Sequence, residues 1–185
     1  MVRERFTKSI LMQKGVIRKR RSSPPSEYAR QLHEKQGLKQ EYSLKERKLK
    51  RYVKKILSKS RRGDVAELLL GQLEKRLDNV VFRMGMAQTR KHARQLVSHG
   101  HFLINQRRVT IPSYCVKKGD FITLHPSSHK EPAFEHLKLA LKKYQPPAWI
   151  QLEKERVEAT IVGEPTVKEL ASQLAIPLLF EFYSK

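Results

Sequence analysis

The sequence predicts an α+β fold: a helical part, and a central part in which helices pack a small antiparallel sheet. Three observations predict it. Apolar residues recur at helical spacing from Ser26 to Met84, the period shifts to that of strands after Gly100, and Gly, Pro and Asn punctuate both regions. The chain has 185 residues, 39% of them hydrophobic, which suits one or two small cores and argues against full disorder. Its formal charge is +21, from 39 Lys and Arg against 18 Asp and Glu, so the folded protein must sit beside something strongly anionic.

That charge is uneven. Residues 1–62 carry 21 Lys and Arg against 5 Asp and Glu, residues 63–129 carry 10 against 5, and residues 130–185 carry 8 against 8. Arg18, Lys19, Arg20 and Arg21 run into Ser22, Ser23, Pro24 and Pro25, which cannot continue as helix, so the segment reads as an extended basic arm able to follow phosphates. RNA, DNA and an anionic membrane would all attract it. No stretch of about 20 apolar residues exists to span a membrane, and the short group Ile10, Leu11, Met12 ends at Lys14 without a cleavage signature. A basic transit peptide would resemble this terminus; a nucleic-acid-binding arm is the preferred reading. The single cysteine, Cys115, permits neither an internal disulfide nor a multi-cysteine zinc site, which points to a reducing compartment.

From Ser26 the pattern turns helical, with Tyr28, Ala29, Leu32 and Gln36 on one face and Gly37 as its stop. Ser43 and Glu46 form a capping box for the next helix, whose apolar face is Leu44, Leu49, Tyr52, Val53, Ile56 and Leu57. Its cationic remainder offers Lys48, Arg51 and Lys55 as phosphate contacts. That apolar face holds no Trp or Phe, unlike a membrane-surface helix. Ser58 to Gly63 reads as a basic linker. Asp64 with Glu67 then caps a helix whose Leu68, Leu69, Leu70 and Leu73 are core, and Asp78 to Met84 forms a second helical segment closed by Gly85.

Thr89 caps a helix that ends near Gly100, with Ala93, Leu96 and Val97 facing inward. Arg90, Lys91 and Arg94, three or four apart, form a compact cationic patch. Guanidinium groups suit bidentate phosphate contacts, and Thr89 with the free amides adds donors at the positive end of the helix. A merely solubilising patch would look the same. His99 and His101 could cap, pack or bind phosphate, and two histidines do not establish zinc.

Phe102 and Ile104 then alternate as in a strand, turn at Asn105 to Arg108, and return through Val109 and Ile111. Tyr114 and Val116 precede a second turn, Lys117 to Asp120, that leads into Phe121 to Leu124. Arg107, Arg108, Lys117 and Lys118 would flank an RNA groove from these turns, the alternative for Lys117 and Lys118 being plain solvent-facing turn residues. Cys115, with strand residues around it, reads as a small buried hydrophobe and not as a nucleophile. In the neutral last third, Phe134, Leu137, Leu139, Ala140 and Leu141 form a helix before Pro146 and Pro147. Trp149, Ile150 and Leu152 open a packed segment, Glu158 to Val162 is a strand, Thr166 with Glu169 caps a helix through Leu174, and the final aromatics dock.

Glu74-Lys75-Arg76-Leu77-Asp78-Asn79-Val80-Val81-Phe82-Arg83-Met84-Gly85, followed by Thr89-Arg90-Lys91-His92-Ala93-Arg94-Gln95-Leu96-Val97-Ser98-His99, resembles the opening of the S-four RNA-binding domain. Ile104-Asn105-Gln106-Arg107-Arg108-Val109 and Val116-Lys117-Lys118-Gly119-Asp120 continue it. Ser26-Glu27-Tyr28, Glu34-Lys35-Gln36 and the closing Phe180-Glu181-Phe182-Tyr183-Ser184-Lys185 extend the likeness to the bacterial-type small-subunit ribosomal protein S-four family. The resemblance implies a structural protein that binds a multi-helix junction in the 5′ domain of small-subunit ribosomal RNA and acts early in assembly. It implies a place beside ribosomal protein S-five, near the channel through which messenger RNA enters, and a part in decoding accuracy. It puts Arg90, Lys91, Arg94, His99 and His101 in or beside the RNA-facing motif and Arg18 to Arg21 in the basic segment associated with messenger. It also implies a basic arm at 1–25, a helical domain of 26–75 completed by 161–185, and a central domain at 76–160.

The family often carries an amino-terminal zinc-binding cysteine cluster, or a cysteine-free loop containing Pro-Pro-Gly. Here Pro24-Pro25 meets Ser26 and no cysteine precedes Cys115, so a reduced amino terminus with no metal and no other cofactor is expected. The alternatives that use the same module are an RNA-modifying enzyme and a ribosome-associated quality-control or stress factor. About 75 residues before the module and about 45 after it are too few for an added catalytic domain, so no enzyme is expected. A cytoplasmic ribosome is the expected location, with an organellar one as the alternative.

Overall fold

Two separate apolar clusters organise the chain. The computed structural model describes residues 24, 26–59, 65–131, 134, 137–165 and 176–184. The expected arm at Arg18 to Arg21, most of the basic linker, the Asp64 cap and the helix from Thr166 to Leu174 lie outside them.

The first cluster is helical. Helix α1 (Glu27–Glu41) starts where the Ser26 hydroxyl accepts the Ala29 amide at 3.2 Å, and α2 (Glu46–Lys59) and α3 (Val65–Glu74) follow. A late helix, α7 (Ile176–Ser184), packs back against α1. Leu38, Tyr42, Leu49, Val53, Ile56, Leu69, Leu70 and Leu73 meet Ile176, Leu179 and Phe180 there. The final aromatics thus dock, as expected: Tyr183 donates to Glu46 at 2.6 Å and Phe182 lies under the Lys35 ammonium.

Several helical details differ from the sequence reading. Gly37 does not stop α1, because Leu38 and Tyr42 are core residues whose burial outweighs the roughly 1 kcal/mol that a helical glycine costs. The buried positions of α1 are Gln31, Lys35 and Leu38, while Tyr28 is 62% exposed. Ser43 is not a cap. It takes a left-handed φ of 50° in the α1–α2 turn, and α2 begins on Lys45, whose carbonyl receives the Lys48 and Leu49 amides. Leu68 is exposed because three consecutive leucines cannot share one helical face, and Leu57 is exposed at the end of α2.

The second cluster joins α4 (Leu77–Arg83) and α5 (Arg90–His99) to a five-stranded antiparallel sheet. Its strands are β1 (Phe102–Ile104), β2 (Arg107–Arg108), β3 (Phe121–Leu124), β4 (Ile150–Glu153) and β5 (Glu158–Ile161), in the order β2-β1-β3-β5-β4. A 3-10 turn (Pro126–Lys130) and α6 (Leu137–Lys143) lie between β3 and β4, with Phe134, Leu137 and Leu141 buried but Ala140 exposed. The α+β expectation holds.

The first hairpin is tighter than expected. Asn105 and Gln106 alone make the turn, with φ of 48° and 68°, so Arg107 and Arg108 are strand residues paired with Ile104 and Leu103. Val109 still donates to the Phe102 carbonyl of β1 at 3.3 Å, but from there to Val116 the chain is loop, whose backbone bonds the start of α4 and the residues just before it. The Leu77 and Asp78 amides donate to the Tyr114 and Pro112 carbonyls at 2.8 and 3.1 Å, satisfying the orphan donors of the helix start. Cys115 on this loop is exposed, contrary to expectation, because only its backbone bridges inward to Arg76.

Candidate nucleic-acid interface

Two cationic grooves lie where the two clusters meet. The larger has a cavity of about 400 Å³, walled by Gln36, Lys39, Gln40, Ser43, Leu44 and Lys45 on the helical side and by Lys91 and Arg94 of α5 on the other. The smaller, about 170 Å³, is bounded by Lys48, Arg51, Tyr52 and Lys55 of α2 and by Ser113 of the α4-capping loop. Lys48, Arg51 and Lys55 occur at helical spacing on the face opposite Leu49, Val53 and Ile56, which is why one buried stripe leaves them exposed together.

Helix α5 is built as its sequence indicates. The Thr89 hydroxyl accepts the His92 amide at 3.1 Å, Gly100 closes the helix at φ 78°, and Ala93, Leu96 and Val97 are buried. The Arg108 guanidinium donates to the Gly100 and His99 carbonyls at 3.0 and 2.8 Å, so it caps the helix from β2. A Cβ on Gly100 would collide with that guanidinium.

The three cations of the α5 patch have unlike surroundings. Lys91 is exposed. Arg94 donates from Nε to Asp78 at 2.9 Å, from Nη1 to the Ser43 carbonyl at 2.5 Å and from Nη2 to the Tyr42 carbonyl at 3.3 Å. Arg90, its side chain only 13% exposed, donates to Asn79 at 2.7 Å and pairs with Glu41 at 3.5 Å, between the rings of Tyr42 and Phe82.

Two buried acids organise these arginines, and neither was singled out from the sequence. Glu74, fully buried, accepts from Tyr42 at 2.7 Å, from Asn79 at 2.6 Å and from Arg83 through two bonds of 3.0 Å. Asp78 takes a bidentate pair from Arg76, at 3.0 and 2.6 Å, besides Arg94. Burial and the Glu74 carboxylate push the Tyr42 hydroxyl far above its ordinary range. Burial alone would lower the Arg76 and Arg83 pKa values, yet the bonds from Asp78 and Glu74 raise both. The available signal for Glu74 is phase, since it follows Leu70 and Leu73 on the buried side of α3, whereas Asp78 lies in the separate α4 beyond the extended Arg76, where that phase is broken.

Of the remaining candidates, Arg107, Lys117 and Lys118 are exposed at β2 and at the turn before β3. Asp120 holds that turn, accepting the Lys117 amide at 2.8 Å and the Asn105 side chain at 2.9 Å. His99 is exposed, whereas His101 bonds Ser128 at 2.9 Å and packs edge-on to Phe134, with burial lowering its pKa. The geometry therefore supports packing for His101.

An S4 domain matches residues 75–122, and the Ribosomal protein S4/S9 N-terminal domain matches residues 5–74. The small ribosomal subunit protein uS4 of Halothermothrix orenii is 40% identical, across 90% of this chain and 79% of its own length. The protein of the same name from Persephonella marina is 42% identical, across 86% and 77%. That from Chloroflexus aurantiacus is 37% identical, across 95% and 91%.

Proposed function

The chain belongs to the family of small ribosomal subunit protein uS4, structural proteins of that subunit and not enzymes, and on that premise we propose that it binds a multi-helix junction in the 5′ domain of small-subunit ribosomal RNA and nucleates assembly of the subunit body. The observation that carries this reading is the pair of cationic grooves, each walled by both clusters. A single basic helix would attract any phosphate. Cations set on facing elements match phosphates at a fixed spacing, so folded RNA can be recognised by shape without its bases being read.

Lys48, Arg51 and Lys55 neutralise phosphates along the smaller groove, and Lys45 and Lys91 do so in the larger. Thr89, His99, Arg107, Lys117 and Lys118 add contacts to sugar and phosphate. Arg18, Lys19, Arg20 and Arg21 supply cations for messenger RNA near the channel it enters, beside S-five, and so bear on decoding accuracy. The ribosome in question is the bacterial-type cytoplasmic one, in keeping with the bacterial relatives.

The test is to crosslink the protein in cells and sequence the attached RNA. Contacts should cluster at one small-subunit ribosomal RNA junction and persist in purified subunits. Predominant transfer RNA, large-subunit RNA or DNA contacts would overturn the assignment. Replacing Arg18, Arg20 and Arg21 by Gln should slow translation through a structured messenger; unchanged passage and fidelity would remove the arm from that role.

A further inference from the structure

The sequence offers Arg90 and Arg94 as phosphate readers, yet both guanidiniums are already bonded within the protein, Arg94 with its side chain still 32% exposed. All three nitrogens of Arg94 are engaged, and the bonds cross between the clusters: Asp78 belongs to α4, whereas Tyr42 and Ser43 belong to the α1–α2 turn. The Ser43 carbonyl is presented by a left-handed backbone that a serine adopts only under restraint. Arg90 crosses in the same direction, with Phe82 of α4 on one side and Tyr42 on the other.

We infer that Arg94, assisted by Arg90, is a positioning residue: it fixes the helical cluster against α5, and thereby the shape of both grooves, without neutralising an RNA phosphate. The inference rests on reading those grooves as the ribosomal RNA site. Its chemistry is specific to arginine, whose planar fork can bond a carboxylate and two carbonyls at once. A lysine keeps the charge but is a single compact cation, so it can replace a phosphate contact far better than this bridge.

The experiment compares Arg94→Lys, Arg94→Gln and Lys91→Gln for binding to a small-subunit ribosomal RNA 5′-domain fragment over a series of salt concentrations. Both Arg94 variants should lose about tenfold or more in affinity while the slope of log K against log salt stays at the parent value. Lys91→Gln should instead reduce that slope by about 0.7–0.9, one phosphate contact. In parallel, spin labels at Cys115 and at Ser58→Cys report the distance between the clusters, and this distribution should broaden in Arg94→Lys without RNA.

Parent-like binding by Arg94→Lys, a lower slope in Arg94→Gln, or an unchanged distance distribution would each overturn the positioning role. Circular dichroism checks that the variants fold. Should the Arg94 variants not fold, Arg90→Lys goes through the same measurements and the same outcomes decide. The distance measurement involves no RNA, so it decides the inference even if the parent protein prefers another RNA and the ribosomal reading fails.

Discussion

Helices α2 and α5 both look basic in sequence, and their cations meet opposite fates. On α2, Lys48, Arg51 and Lys55 project outward and form no ion pair among the described residues. On α5, Arg90 and Arg94 turn toward Glu74, Asp78 and the α1–α2 turn, leaving Lys91 as the exposed member of the patch. The difference lies in the facing element, since α5 packs on α4, which carries Asp78 and follows directly on Glu74. Charge density alone therefore does not identify a phosphate contact. On the reading proposed above, the phosphate contacts are the cations left over after the interior acids are satisfied.

The largest effect should come from removing the acid that holds the α5 side of this comparison. Glu74→Ala strands Arg83 and the Tyr42 hydroxyl in the interior and should destabilise the fold by about 3–5 kcal/mol in denaturant titrations. A loss below about 1 kcal/mol would mean that the network is peripheral. On the α2 side, replacing Lys48, Arg51 and Lys55 together by Gln should leave stability within about 0.5 kcal/mol. Affinity for ribosomal RNA should nevertheless fall by roughly one to two orders of magnitude, and the salt slope by about 2–3.

Gly100→Ala is smaller in effect. The positive φ and the displaced Arg108 guanidinium should cost about 1–2 kcal/mol and fray the end of α5, read by hydrogen exchange at His101, whose amide donates to Leu96. Smallest is the acid limb of stability. Burial would raise the Glu46 pKa, but bonds from Lys39 and Tyr183 and the Lys35 charge hold it down at about 2, from an ordinary 4.5. A depressed carboxylate stabilises the fold above its unfolded value, and that contribution fades as pH falls from about 4.5 to about 2. Because Glu46 is well exposed, the contribution is modest. Glu46→Gln should flatten the stability profile within that window and leave it parallel to the parent above pH 6, as thermal melts across pH would show.

These contrasts also separate what the sequence could reveal from what it could not. The Thr89 cap, the Gly100 stop and the inward Ala93, Leu96 and Val97 were legible because each depends on partners within a turn or two. The Asn105–Gln106 turn was placed, but its length was not, because Arg107 and Arg108 carry turn-like polarity while their backbones pair with β1. The partners of Arg94 lie 16 to 52 residues away, beyond any periodic signal. Likewise, the Gly37 stop and the Ser43 cap were local signals overruled by distant packing, since Leu38 and Tyr42 hold α1 in its cluster for a further turn. Cys115 is exposed although its neighbours have strand-like composition, because there the loop turns its backbone and not the cysteine side chain inward.

On the reading proposed above, exposed cations at the junction of the two clusters grip ribosomal RNA while the inward ones set the grip. The deciding experiment titrates the parent and the α2 triple variant against a small-subunit ribosomal RNA 5′-domain fragment and against transfer RNA, from low to moderate salt. The expected result is tight, steeply salt-dependent binding of the parent to the junction fragment over transfer RNA, with a slope lower by about 2–3 in the variant. Equal affinity for the two RNAs, or an unchanged slope in the variant, would contradict the account.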